Sequence, residues 1–79
     1  MKMDKRQIMQ YIEERYSALN DAEVGIGSFV SPCLATLGEI YHVAIAVYPD
    51  GRMFSSMAYG SESEALDDLI DHTWNINNA

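Results

Sequence analysis

The most restrictive feature of this 79-residue sequence is a Tyr-Pro-Asp-Gly turn at residues 48–51 between two runs of β-forming residues. Proline presets φ at the second turn position, aspartate suits the third, and glycine takes a left-handed conformation. The run before the turn is dense in β-branched and aromatic residues. The sequence therefore predicts an antiparallel hairpin of two strands, at about residues 40–48 and 53–59.

The turn also predicts which side chains share a face of the hairpin. With Tyr48 opposite Arg52, bulky apolar side chains fall on one face and small side chains on the other. We expect the bulky face to pack on helices and the small-residue face to stay open, as one face of an antiparallel sheet often does. The open face would carry His42, Ala44, Tyr48 and Phe54.

Amphipathic helices are predicted before and after the strands. One lies at about residues 4–19 and the other at about 62–74, each with a capping box at its start and an apolar stripe at helical spacing. A further strand at about 24–30 contains two glycines. The predicted fold is therefore a single α+β domain over residues 1–79, with the order helix, three-stranded antiparallel sheet, helix (αβββα). Both helices would cover one face of the sheet.

The charge and composition exclude several classes of protein. Twelve acidic residues against five Lys and Arg give a net charge of −7, which argues against direct binding to nucleic acid or to anionic lipid. With 48% hydrophobic and 22% charged residues, the chain is typical of neither disordered nor membrane-spanning segments. A single cysteine, Cys33, excludes an internal disulfide. Because no secretory signal follows the first basic residues, we expect a cytoplasmic protein.

The second helix carries a row of carboxylates. They fall at i, i+3, i+4 and i+7, so they project from one side, opposite the buried stripe, with no Lys or Arg on the same helix. We name these residues the acidic face: Glu64, Asp67, Asp68 and Asp71. One interpretation is a solvated surface that maintains solubility, and the other is an anionic docking surface. Residues 1–19 carry four cations and three acids, whereas residues 20–79 carry nine acids and one cation, which favours steered encounter with a basic partner.

Catalytic and metal-binding arrangements have little support in the sequence. Cys33 and His42 can be considered as a thiolate–imidazole pair, but no recognisable motif surrounds them. Asp68, Asp71 and His72 provide too few ligands for a convincing metal site. We therefore predict that the protein is not an enzyme, with no catalytic residues, no bound metal and no cofactor.

The element order resembles that of double-stranded RNA-binding domains, which are of similar size. The second helix of those domains begins with lysines that grip phosphate, whereas residues 61–64 of this chain are Ser, Glu, Ser and Glu. The charge is therefore inverted, so the likeness is one of topology and predicts no RNA binding.

In size, element order and acidity, the whole chain is also similar to phage-encoded anti-defence proteins, the anti-CRISPR and anti-restriction inhibitors. This resemblance implies a protein of the host cytoplasm that occupies the nucleic-acid site of a nuclease or CRISPR effector. The implied contact residues are the acidic face, with Asp50 and Glu62 as outliers.

Two functional hypotheses follow. The first is a non-enzymatic acidic inhibitor, or nucleic-acid mimic, that binds a basic surface of a nucleic-acid-handling protein through the acidic face. The alternative is a homo-oligomeric or accessory interaction domain, such as a homodimer, that uses the open sheet face. Neither hypothesis includes direct contact with nucleic acid or with a membrane.

Overall fold

Two helices and three strands follow one another in the predicted αβββα order. A computed structural model describes residues 2–78. Its helices and strands are α1 (Lys5–Arg15), β1 (Glu23–Val30), β2 (Ile40–Val47), β3 (Met53–Ser55) and α2 (Glu62–Asn77). The sheet is antiparallel throughout with the order β1-β2-β3, so β2 is the central strand. The predicted α+β fold class is confirmed.

The first helix starts where the sequence predicts but ends earlier. The Asp4 side chain accepts the Gln7 N–H at 2.8 Å, and the Gln7 side chain accepts the Asp4 N–H at 2.9 Å, which completes the capping box. After Arg15 the chain tightens into a 3₁₀ turn, Ser17–Asp21, rather than continuing as an α-helix to residue 19. This turn still buries Leu19, so the apolar spacing that predicted a longer helix is satisfied in a different backbone conformation.

The third strand is shorter than predicted because its pairing shifts by one residue. Ile45 lies opposite Ser55, as the turn predicts. Further along, His42 bridges to Tyr59, one position beyond the residue that a continuous register would place there. The Ser56 N–H still donates to the Ala44 carbonyl at 2.8 Å, so the extra residue lies between Ser56 and Tyr59, and the segment 56–58 departs from the regular ladder in the manner of a β-bulge. The strand predicted at 53–59 is therefore regular only over Met53–Ser55.

The core lies on the small-residue face of the sheet. Ala44 and Ala46 are fully buried on this face, whereas Ile45 between them is 38% exposed on the other. The prediction that the bulky face packs on the helices is wrong. Alanines on the central strand let the helices approach it closely, and the large helical side chains fill the space instead. The buried core residues are Ile8, Ile12, Leu19, Ala44, Ala46, Tyr48, Ala65, Leu66, Leu69 and Ile70.

The opposite side of the sheet, here called the outer face, keeps large apolar side chains in contact with solvent. Ile45 and Val47 are more than one-third exposed, and Met53 is 66% exposed. No helix of residues 2–78 covers them, because α1 and α2 both contribute to the core on the other side. The sheet is thus covered on one face only.

Candidate protein-binding surfaces

The second helix presents the acidic face because its apolar stripe faces the sheet. Leu66 and Leu69 are fully buried, and Thr73 continues the same stripe one turn later. The helix begins after Ser61, whose hydroxyl oxygen accepts the Glu64 N–H at 3.3 Å. The Glu64 carboxylate accepts the Ser61 hydroxyl at 2.9 Å rather than the Ser61 N–H, so this capping box is half formed. The acids therefore project on the side that the sequence predicts.

Asp67 is held by the first helix. Its Oδ1 accepts the Tyr11 hydroxyl at 2.6 Å and lies 4.0 Å from the Arg15 Nε. The Arg15 guanidinium in turn lies over the Tyr11 ring, 3.4 Å from the ring centre. Desolvation, followed by the hydrogen bond to Asp67, raises the pKa of Tyr11 above its ordinary value of 10.0. Asp67 thus links α2 to α1. The sequence suggested that no cation lies near it, whereas the structure places the Arg15 guanidinium beside it.

Asp68 supports the irregular end of the third strand. Its Oδ2 accepts the Met57 N–H at 2.8 Å, a backbone donor of the segment that has left the ladder. Desolvation, followed by the charge of Asp68, raises the pKa of Tyr59. This carboxylate therefore satisfies a donor that the bulge would otherwise leave unpaired. Its position reflects a structural role in addition to its charge.

Glu64 and Asp71 form fewer hydrogen bonds and ion pairs with the rest of the protein than the other acids of the helix. Both are exposed, and neither takes part in an ion pair within residues 2–78. Among residues 2–78, the side chain of Glu64 forms a hydrogen bond only with Ser61 at the cap of its own helix, and that of Asp71 accepts none. The acidic face is therefore divided into two acids that hold the fold and two that face solvent.

The two outlying acids, Glu62 and Asp50, do not extend this surface. Glu62 is buried, and its Oε2 accepts the Met3 N–H at 2.9 Å, which fastens the start of the chain to α2. Asp50 lies in the hairpin turn and pairs with the Arg52 guanidinium at 2.7 Å. The Arg52 N–H, and after it the guanidinium, lowers the pKa of Asp50. Neither acid is free to meet a partner as an unpaired charge.

The sheet residues proposed as the alternative surface lie on the covered face. Ala44 and Tyr48 are buried, and His42 and Phe54 are half-buried. The Tyr48 ring packs edge-on against Phe54, and the Tyr48 hydroxyl donates to the Ala18 carbonyl. These residues form part of the core and its margin, so the premise that they form an open surface is wrong.

Two exposed apolar features escaped the sequence interpretation. The first is Trp74, which helical spacing would place on the apolar stripe of the second helix but which is 52% exposed. It follows Asp71 by three residues and therefore lies on the same side of the helix. The outer face of the sheet is the second feature, and its signal was the pair Gly25 and Gly27. These glycines lie opposite Ile45 and Val43 and leave them with no side chain directly opposite on β1.

No arrangement for catalysis or metal binding is evident in the described part of the chain. Cys33 is exposed, and the His42 Nδ1 lies 2.7 Å from the Ser28 hydroxyl rather than near a thiol. Across residues 2–78, no group of three or more His, Cys, Asp or Glu side chains is placed to hold a metal ion. Over the same residues, no helix combines the length and apolar character needed to cross a bilayer. The absence of enzymatic activity and of cofactors stays a prediction.

Comparison with known proteins adds no family assignment. Neither protein-family models, nor curated proteins, nor solved structures gave a significant match to this chain.

Proposed function

We propose that this chain is a non-enzymatic binding protein that docks the exposed part of the acidic face onto a basic surface of a protein partner. One observation carries the proposal: Glu64 and Asp71 project into solvent with no ion pair among residues 2–78, in a region of strong negative charge. Residues 20–79 hold nine acids and one cation. Such a field speeds encounter with a cationic surface and disfavours an anionic one.

Trp74 provides the contact area that charges alone lack. Tryptophan is enriched among the residues that dominate binding energy at protein interfaces, because it buries a large rigid surface. In this helix it lies one turn beyond Asp71 and is about half exposed. An acidic row ending in an exposed indole fits a partner surface with basic residues around an apolar pocket.

The class of partner that we propose is a protein that handles nucleic acid, acted on as an inhibitor. Neighbouring carboxylates of the acidic face are one helical turn and roughly 5–6 Å apart, comparable to successive phosphates along a strand, and the two exposed ones, Glu64 and Asp71, are two turns or about 10 Å apart. Lysine and arginine sites built for phosphates can therefore accept the acidic face. The similarity to phage-encoded anti-defence proteins in size, element order and charge supports the same class, with a nuclease or CRISPR effector as one example.

The test uses Asp71, because substitutions at Asp67 or Asp68 would also break contacts that hold the fold. Asp71→Lys reverses one charge on the exposed part of the acidic face. Glu13→Lys is the matched control, since Glu13 is an exposed acid of α1 with no hydrogen bond or ion pair among the described residues. Both variants change the net charge equally, so a difference between them reports the position of the charge.

Each protein is immobilised and exposed to a cell lysate at about 50 mM and about 500 mM salt. We expect the wild type and Glu13→Lys to capture a nucleic-acid-binding protein at low salt, and duplex DNA or RNA to release it. Asp71→Lys and Trp74→Ala should each lower the captured amount at least about tenfold, the equivalent of 1.4 kcal/mol. Equal capture by Asp71→Lys and Glu13→Lys, capture that persists at high salt, or no capture at all would contradict the proposal.

A further inference from the structure

The first strand forms an open edge of the sheet. β1 spans eight residues, Glu23–Val30, and within residues 2–78 it pairs only with β2. The helix nearest to it, α1, touches it through the Lys5–Glu23 ion pair at 3.5 Å without covering its edge. An edge strand presents a row of unpaired backbone groups, which can pair with another strand.

The hydrogen-bond pattern identifies which backbone groups are free. The Ser31 N–H donates to the Glu39 carbonyl, and the residues of an antiparallel pair alternate between bonded and non-bonded positions. The odd-numbered residues of β1 therefore bond to β2. The N–H and C=O groups of Val24, Ile26 and Ser28 point away from β2, and no other group among residues 2–78 bonds to them.

The edge lacks the features by which proteins usually block strand pairing. Apart from Glu23 at its first position, β1 contains no charged residue, and it contains no proline and no bulge. A groove of about 540 Å³ runs beside this edge, lined by side chains of α1 and of the outer face together with residues 23–27. It leaves room for the side chains of an added strand on both sides of the sheet.

The distribution of charge indicates which partner suits this edge. α1 packs beside β1, and residues 1–19 carry a small positive net charge, whereas α2 and its acids pack on β2 and β3. A second copy approaching β1 thus keeps the two acidic faces at opposite ends of the assembly. A two-fold axis normal to the sheet also makes the two copies of α1 antiparallel to each other. The first turn of one copy, with Lys5 and Arg6, then lies toward the last turn of the other, where Glu13 and Glu14 precede Arg15.

We propose that two copies of this chain associate by antiparallel pairing of β1 with β1 about a two-fold axis near the middle of the strand. The product is a continuous six-stranded sheet with all four helices on one side. The contact is isologous, because the same edge is used by both copies. This contact does not involve the acidic face, so the dimer and the proposed function can be tested separately.

The first measurement is the oligomeric state together with amide hydrogen exchange. Sedimentation should give about twice the monomer mass of 8.9 kDa at high concentration and the monomer on dilution. At high concentration the amides of Val24, Ile26 and Ser28 should exchange as slowly as those of Gly25 and Gly27, and on dilution they should become fast. A monomer at every concentration, or a dimer in which those three amides stay fast, would overturn the proposal.

The second measurement is a charge placed on the edge. Gly27→Glu adds a carboxylate beside the axis, and a Cβ at this position meets no atom within 4 Å, so the monomer accommodates it. Gly60→Glu is the control of equal charge, at a glycine with the same free space before α2. We expect Gly27→Glu to weaken the dimer at least about tenfold, because like charges meet across the interface. We expect Gly60→Glu and Asp71→Lys to leave it nearly unchanged. Equal weakening by both glutamates would overturn the proposal.

Discussion

The face of the sheet with the smaller side chains is the buried one, and the face with the larger side chains is exposed. The covered face of β2 presents Ala44 and Ala46, and the outer face presents Ile45 and Val47. On the covered face, the bulk that fills the core comes from the helices, with Leu66 and Leu69 fully buried. Side-chain size along a strand therefore does not show which face is buried, because the volume of a core is shared between the layers that form it.

The neighbouring strand explains why the bulky face stays uncovered. Gly25 and Gly27 lie opposite Ile45 and Val43, so in the middle of the outer face β1 provides no side chain to complete an apolar layer. On the covered face, Val24 lies opposite Ala46 and packs against the core. On the outer face, large residues of β2 thus lie opposite glycines of β1. On the covered face, the alanines of β2 lie opposite larger residues of β1.

The largest expected effect contrasts equal truncations on the two sides. Leu69→Ala removes a fully buried side chain and should lower the free energy of unfolding by about 2–5 kcal/mol. Ile45→Ala removes a side chain of similar volume that is partly in water, and should cost only about 1 kcal/mol. Urea unfolding at low protein concentration measures both. Equal losses would mean that the outer face is covered in solution.

A second contrast uses two consecutive serines, one on each side of the strand end. The Ser56 hydroxyl oxygen accepts the Ala44 N–H at 2.9 Å and its hydrogen goes to the Met57 carbonyl. Ser56→Ala leaves a buried donor unsatisfied and should lower stability by about 1–3 kcal/mol. Ser55→Ala, on the exposed outer face, should change it by no more than about 0.5 kcal/mol. Equal melting temperatures of the two variants would contradict the structural role of the Ser56 hydroxyl.

A third contrast separates the two kinds of acid on the helix that covers the core. Asp68→Ala removes the acceptor of the Met57 N–H and should cost about 1 kcal/mol, since the contact is only partly shielded from water. Asp71→Ala should be neutral within about 0.5 kcal/mol, because Asp71 accepts no bond from the described residues. Thermal unfolding of both variants in the same buffer gives the difference. A loss at Asp71 as large as that at Asp68 would refute the division of the acidic face.

The smallest effect is expected at alkaline pH. Desolvation and the bond to Asp67 raise the folded-state pKa of Tyr11 above 10.0, so the unfolded chain loses this proton first. The stabilisation is therefore complete below pH 10.0 and is lost as the pH rises through the folded-state pKa. Tyr11→Phe should flatten that part of the stability profile by a few tenths of a kcal/mol. An unchanged alkaline slope would show that the Tyr11–Asp67 bond does not couple α1 to α2.

The parts of the fold that the sequence predicts are those set by local chemistry. The hairpin turn, the cap at Asp4 and the apolar stripe of α2 depend on neighbours a few residues apart, and each forms close to its predicted place. The register shift at 56–58 was not predictable in this way, because it depends on an acceptor supplied by Asp68 from another element.

The candidate site was predicted in outline for the same reason. Helical periodicity placed the acids on one side of α2, but it could not show that Asp67 would meet Tyr11, 56 residues away in sequence. It also could not show that Glu62 would be buried and would accept the Met3 N–H. Trp74 lies at the border of the apolar stripe, where periodicity does not decide between burial and exposure.

The shortness of β3 sets an upper limit on assembly. Its three residues end in a bulge, and short or bulged edges resist the addition of further strands. In the proposed β1–β1 dimer, both free edges of the joined sheet are β3 strands. Growth therefore terminates at two chains instead of propagating into a fibre, and a variant that straightened residues 56–58 would remove that stop.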